Sequence, residues 1–265
     1  MSETPTPRPR RLLERLRSQS WTAVGIELAV VILGVFIGIQ VSNWNQDRLA
    51  RRQGDEFTAR LTDDLREEGW RYQVLLAYYE EVLANANRAV EALEGTNPLD
   101  DEALLIATYR ATQYKEAARR RSTYDELIAT GTIGLIRDRT LRDTAMRVFN
   151  MRTFDSLVQE GLRSRLREAF RMGMSNDVQR ALTRTCGDKY IRPGDFSKMQ
   201  GTLDYPCRTG LPAPVIATAA ATLRSDPQFR PALRLRVADL ETRIFDLRGN
   251  NRAIMESLRA ISQQP

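Results

Sequence analysis

Residues 22–41 read TAVGIELAVVILGVFIGIQV, and this stretch decides the architecture of the chain. At a rise of about 1.5 Å per residue, a helix of this length reaches roughly 30 Å, the thickness of the hydrocarbon core of a bilayer. Trp21 and Trp44 bracket the stretch, where aromatic side chains sit at membrane interfaces. Its twelve Val, Ile, Leu and Phe residues each contribute roughly −0.3 to −0.6 kcal/mol to insertion, about −4 to −7 in total. Glu27 opposes this by at most about 3 kcal/mol, and by less because it lies off-centre. Insertion therefore wins. The rival reading is a cleaved signal peptide. The apolar run is too long for that, and Ser42-Asn43-Trp44-Asn45 is not a small-x-small cleavage site.

The span carries a marked face. Gly34 and Gly38 form a GxxxG pair, which lets two helix backbones approach closely. At about 100° per residue, Glu27, Gly34, Gly38 and Asn45 fall within about 20° of one line. A stripe of small and polar residues points to a helix–helix contact, although glycine is also simply common in membrane helices. Glu27 reads as a packing or snorkelling residue, because one helix offers no second group for a proton relay.

Outward from the span, residues 1–20 hold Arg8, Arg10, Arg11, Arg15 and Arg17 against Glu3 and Glu14. Such an arm suits the anionic inner leaflet of a membrane. Arg48, Arg51 and Arg52 follow the span. The five-to-three bias places the arm in the cytoplasm and the C-terminal part in the periplasm. The rest of the net charge of +6 is spread over the remaining chain, which argues against nucleic acid as a partner. Membrane lipid is the expected partner, with a second copy or another membrane protein at the marked face. Lysine occurs only at 115, 189 and 198, and histidine is absent. Without histidine there is no His-based metal site, Ser-His-Asp triad or Cys-His dyad, and no metal or cofactor is expected.

The remainder reads as all-α: residues 1–20 a basic arm, 21–44 a transmembrane helix, 45–265 a helical soluble domain. From Leu61 to Leu93 apolar residues recur at heptad spacing. One register holds Leu65, Tyr72, Tyr79, Ala86 and Leu93; the other holds Leu61, Leu75, Val82 and Ala89, broken by Glu68. Gly95-Thr96-Asn97-Pro98 ends the helix. A second helix is expected from about Leu99 to Ala118, with Arg119, Arg120 and Arg121 at its C-terminal end. Ser122 with Asp125, or Thr123 with Glu126, forms a capping box for a short helix ending at Gly131. Thr130 to Gly134 is a turn and not a P-loop, since it lacks the GK[ST] end. A long helix is expected from about Asp138 to Met172, burying Leu141, Ala145, Val148, Leu157, Leu162, Leu166 and Phe170.

Residues 173–216 read as an irregular insertion carrying both cysteines, with Tyr190, Phe196 and Tyr205 as material for a cap or contact surface. Cys186 and Cys207, a lone pair around a loop, read as a disulfide in an oxidising compartment, the alternative being two unrelated thiols. A last helix runs through Leu233, Val237, Leu240, Ile244, Leu247, Asn251, Ile254, Leu258 and Ile261 without a break in the alternating spacing. Asn251 is the polar member that fixes register. The helix is expected to pair with residues 61–93 inside a bundle, or else to self-associate through the same seam.

Several stretches resemble a widespread bacterial family of uncharacterised single-pass membrane proteins. The exit of the anchor, Gly38-Ile39-Gln40-Val41-Ser42-Asn43-Trp44-Asn45, is similar to the family's WN ending. Thr123-Tyr124-Asp125-Glu126-Leu127 with Gly131, Leu135-Ile136 and Leu141-Arg142 is similar to its TYxEL…G segment, and Asp226-Pro227-Gln228-Phe229 also resembles it. The resemblance implies a single-pass anchor followed by a helical domain, and transfers no site. On function the residues favour a non-enzymatic interaction or scaffold protein. The alternatives are a ligand-sensing domain that signals through a partner, and an enzyme built on the carboxylates of Glu67-Glu68, Glu80-Glu81 and Asp100-Asp101-Glu102.

Overall fold

The computed structural model describes residues 21–262 apart from 117, 196, 197 and 199. The basic arm at 1–20 and Phe196 lie outside the described residues, which contain no strand. Helix α1 runs Trp21–Glu94. It contains an apolar window long enough to cross a membrane, with a mean hydropathy of 2.4 and none of it buried. The chain divides into two compact units, Met1–Glu56 and Phe57–Pro265. In the first, the apolar side chains from Trp21 to Leu49 are all exposed. An exposed run of that length is unstable in water and matches hydrocarbon instead.

The second unit is a helical bundle. After α1 come α2 Asp101–Ala111, α3 Ser122–Ala129, a 3-10 turn Ile133–Leu135, α4 Arg139–Asn150, α5 Thr153–Leu162, α6 Arg165–Gly173, α7 Asn176–Cys186, α8 Ala213–Ser225 and α9 Phe229–Phe245. A π-type turn Asp246–Asn250 and α10 Arg252–Ser262 follow. Both heptad registers of α1 are buried. Glu68, the polar break in the seam, is buried too. Its carboxylate meets Arg71 at 2.8 Å and Arg119 at 3.4 Å. A buried charge holds its place only when paired in this way.

The α9–α10 arm runs antiparallel to α1. Arg230 donates to the Leu93 carbonyl at 2.7 Å at one end. The Tyr72 hydroxyl donates to the Leu247 carbonyl at 2.6 Å in the middle. Gly69 abuts Leu258 and Ser262 at the other end. The last-helix seam thus packs within the bundle. It is not one helix, however. Gly249, Asn250 and Asn251 are poor helix formers, and the two asparagine amides compete for α9's end, donating to the Asp246 carboxylate and carbonyl. Asn251 caps this turn through the Asp246 carbonyl at 3.0 Å and also reaches the Thr153 hydroxyl of α5 at 3.5 Å.

Other boundaries also differ from the sequence reading, and one physical cause recurs. Helix α2 stops at Ala111, not 118. Its terminal carbonyls are taken by side chains: Thr112 on Tyr109, and Arg236 on Ala111 and Gln113 at 3.3 and 3.0 Å. Arg119 does not sit at the end of α2. It donates to Val148, Phe149 and Met151, the carbonyls at the end of α4. That end, and the Ser164 cap of α6, divide the expected 138–172 helix into three. Leu162, at the end of α5, is left exposed while the other six expected core residues are buried. Neither capping box forms at α3. Instead, buried Asp64 of α1 accepts from the Thr123 amide at 3.3 Å and pairs with Arg120 at 3.0 Å. Residues 176–186 and 213–216 of the expected insertion are helical, so the irregular part is 187–212.

Candidate functional site

Two places concentrate unusual chemistry. The first is the anchor face. Helix periodicity sets Glu27, Gly34 and Gly38 on one line, and all three are exposed. A Cβ built at Gly34 or Gly38 would meet nothing within 4 Å. The rest of residues 21–49 is exposed in the same way, and no other part of the described chain covers it.

The second is the irregular segment 187–212. Cys186, at the end of α7, and Cys207 are joined by a disulfide with a Cα–Cα distance of 5.5 Å. Glu81 of α1 gathers the segment from below. Its carboxylate accepts from the backbone amides of Gly201, Leu203 at 2.7 Å and Asp204 at 2.8 Å. Arg110, whose side chain is only 5% exposed, reaches Asp204 at 3.2 Å and the Tyr205 carbonyl at 2.7 Å. Burial pushes the Arg110 guanidinium down, and Asp204 and Tyr205 oppose that shift. Arg88 adds a second ion pair to Asp204 at 2.6 Å. The Tyr205 hydroxyl donates to the Gly187 carbonyl at 2.6 Å, closing the two ends of the segment. Asp188 is held by the Tyr78 hydroxyl at 3.0 Å, and burial pushes its carboxyl up. Tyr190 stands 84% exposed and takes no part. A cleft of about 380 Å³ remains, lined by Arg88, Leu99, Ile106, Arg110, Tyr205 and Cys207 among others.

The carboxylates offered by the sequence for catalysis are not brought together. Glu67 pairs with Arg120, Glu68 with Arg71 and Arg119, Glu80 with Arg248 and Asp101 with Arg224. Glu81 binds backbone amides as above. Asp100 caps α2, accepting from Ala103 at 2.7 Å. Glu102 accepts from the Thr209 amide and hydroxyl and pairs with Arg208. Among the described residues no group of His, Cys, Asp and Glu is arranged to hold a metal ion.

Sequence reasoning missed Arg110 and Asp204, and offered Glu81 only as a catalytic carboxylate. A signal was present for one of them: Arg110 stands among Leu104, Leu105, Ala107, Tyr109 and Ala111, where an arginine has to find buried partners. The partners of Glu81 lie 120 residues and more downstream and leave no local trace. Comparison of the chain with protein-family models, with curated proteins and with solved structures gives no match.

Proposed function

We propose that this chain is a single-pass, membrane-anchored interaction or scaffold protein of a bacterial inner membrane. Its N-terminal arm is cytoplasmic and its helical domain periplasmic. It works by pairing its anchor with a second copy, or with the membrane helix of a larger complex, along Glu27, Gly34 and Gly38. The observation that carries this reading is the pattern on an otherwise apolar helix: two glycines one turn apart and a carboxyl group on the same line. Glycines allow close backbone packing, and a carboxyl group facing a partner can hydrogen-bond across the contact, which lowers its cost in the membrane. The engagement of the soluble carboxylates in caps and ion pairs supports a non-enzymatic role.

The test is a membrane two-hybrid comparison of the wild type with Gly34→Ile/Gly38→Ile. Isoleucine keeps the segment apolar, so insertion should survive while association falls severalfold. Equal signals at equal expression would remove the glycines as a self-contact.

A second reading is a ligand-sensing domain that signals through a partner. The cleft beside the disulfide, with its apolar wall and two arginines, favours it. A ligand there would change the accessibility of Arg88 to guanidinium-specific modification.

A further inference from the structure

The arginines just beyond the span have a geometry that the orientation argument leaves unused. Arg48, Arg51 and Arg52 are exposed on α1 within the first unit. At about 100° per residue they share an arc of about 100°, and Trp44 falls inside the same arc. The Arg48 guanidinium lies over the Trp44 ring, 5.9 Å from its centroid. Among the described residues, none of the three forms an ion pair. Asp47 lies off this arc, next to Arg48 in sequence. Asp55 falls inside this arc and Glu56 outside it, both one turn further from the span.

Position along the helix completes the case. Arg48 stands about 10 Å beyond Val41, and Arg52 about 16 Å. The headgroup layer of a bilayer occupies roughly 5–8 Å on each side of the hydrocarbon. Side chains on an α-helix lean toward its N-terminus, which here is the direction of the membrane. Long arginine stems extend that reach, with the charged head at the polar layer. Arg48 bends this way, its guanidinium over the Trp44 ring, and the same lean would turn Arg51 and Arg52 toward lipid phosphates.

We infer that Arg48, Arg51 and Arg52, on the Trp44 side of the anchor, form a binding face for anionic phospholipid headgroups at the exit of the span. The guanidinium forks supply bidentate donors to phosphate. Trp44 fixes the depth at which they work. This inference rests on the reading of residues 22–41 as membrane-spanning, and it holds whichever leaflet the exit faces.

The experiment uses the full chain with Trp21→Phe, reconstituted in vesicles. Trp70 is buried within the second unit, and a Trp44→Phe control measures its share of the signal. Trp44 fluorescence is then quenched by brominated phosphatidylcholine or by brominated phosphatidylglycerol at equal mole fraction. Quenching by both lipids establishes that the anchor is inserted. The face predicts preferential quenching by the anionic lipid, an enrichment on the order of fivefold or more. Arg48→Gln/Arg51→Gln/Arg52→Gln should bring the ratio close to one without loss of insertion, and the triple lysine variant should restore part of it. Quenching by both lipids with no preference in the wild type, or a preference unchanged in the glutamine variant, overturns the lipid face alone. Absence of quenching by either lipid overturns the membrane-spanning reading and the face with it.

Discussion

Arg236 is the largest side chain buried to completion, 1% exposed, and it contacts backbone carbonyls where a carboxylate partner might be expected. Its Nε and Nη2 close the end of α2, whose last carbonyls have no intrahelical donor. Arg236→Ala should destabilise the domain by on the order of 3 kcal/mol, from a cavity plus carbonyls left without donors. Arg236→Met, which refills the volume, should recover about half of that. Urea unfolding followed by circular dichroism measures both, and an alanine variant as stable as the wild type would contradict the capping role. Glu102 gives the pH dependence. The Thr209 hydroxyl and amide, then Arg208, hold its carboxyl below the ordinary glutamate value. That contribution is fully present above the ordinary value and is lost as pH falls through the lowered one. Glu102→Gln should therefore reduce stability at neutral pH by about 1–2 kcal/mol, with the gap closing as pH falls below the ordinary glutamate value and through the lowered one. A gap independent of pH would assign the effect to packing alone.

At the scale of elements, the segment 187–212 is held both by a covalent strap and by Glu81. Cys186 and Cys207 are separated by 21 positions. Opening a loop of this size is expected to destabilise the domain by about 3 kcal/mol in the chain-entropy model. Cys186→Ser/Cys207→Ser should lower the unfolding midpoint and speed hydrogen exchange at Leu203 and Asp204, while the bundle stays folded. The wild type isolated from cells should resist alkylation until reduced; full alkylation without reductant would place both cysteines in a reducing compartment. The same scale separates what the sequence could tell from what it could not. The heptad registers of α1 and the buried positions of α9 and α10 were readable, because burial on one helix face imposes its period on the chain. The ends of α2, α4 and α9 were not. They are set by Arg236 and Arg119, which reach carbonyls 123 and 29–32 residues away, and by the asparagines after Gly249. The expected capping boxes at α3 failed for the same reason: Asp64, 59 residues upstream, reaches the amide first. An arginine-rich chain with three lysines suits such use, since a guanidinium offers several fixed donors.

Across the whole molecule, one helix long and apolar enough to cross a membrane was legible in the sequence, since length and composition answer directly to bilayer thickness. The anchor face was legible as a pattern, whereas the network around Cys186 and Cys207 needed the fold to bring α1, α2 and the irregular segment together. The proposed topology is a cytoplasmic arm, one crossing and an exported helical domain. Fusions of the full chain at its C-terminus test it most directly, alkaline phosphatase in one strain and green fluorescent protein in another. The account predicts active phosphatase and dark fluorescent protein, with the chain in the membrane fraction. Bright fluorescence with inactive phosphatase would contradict it.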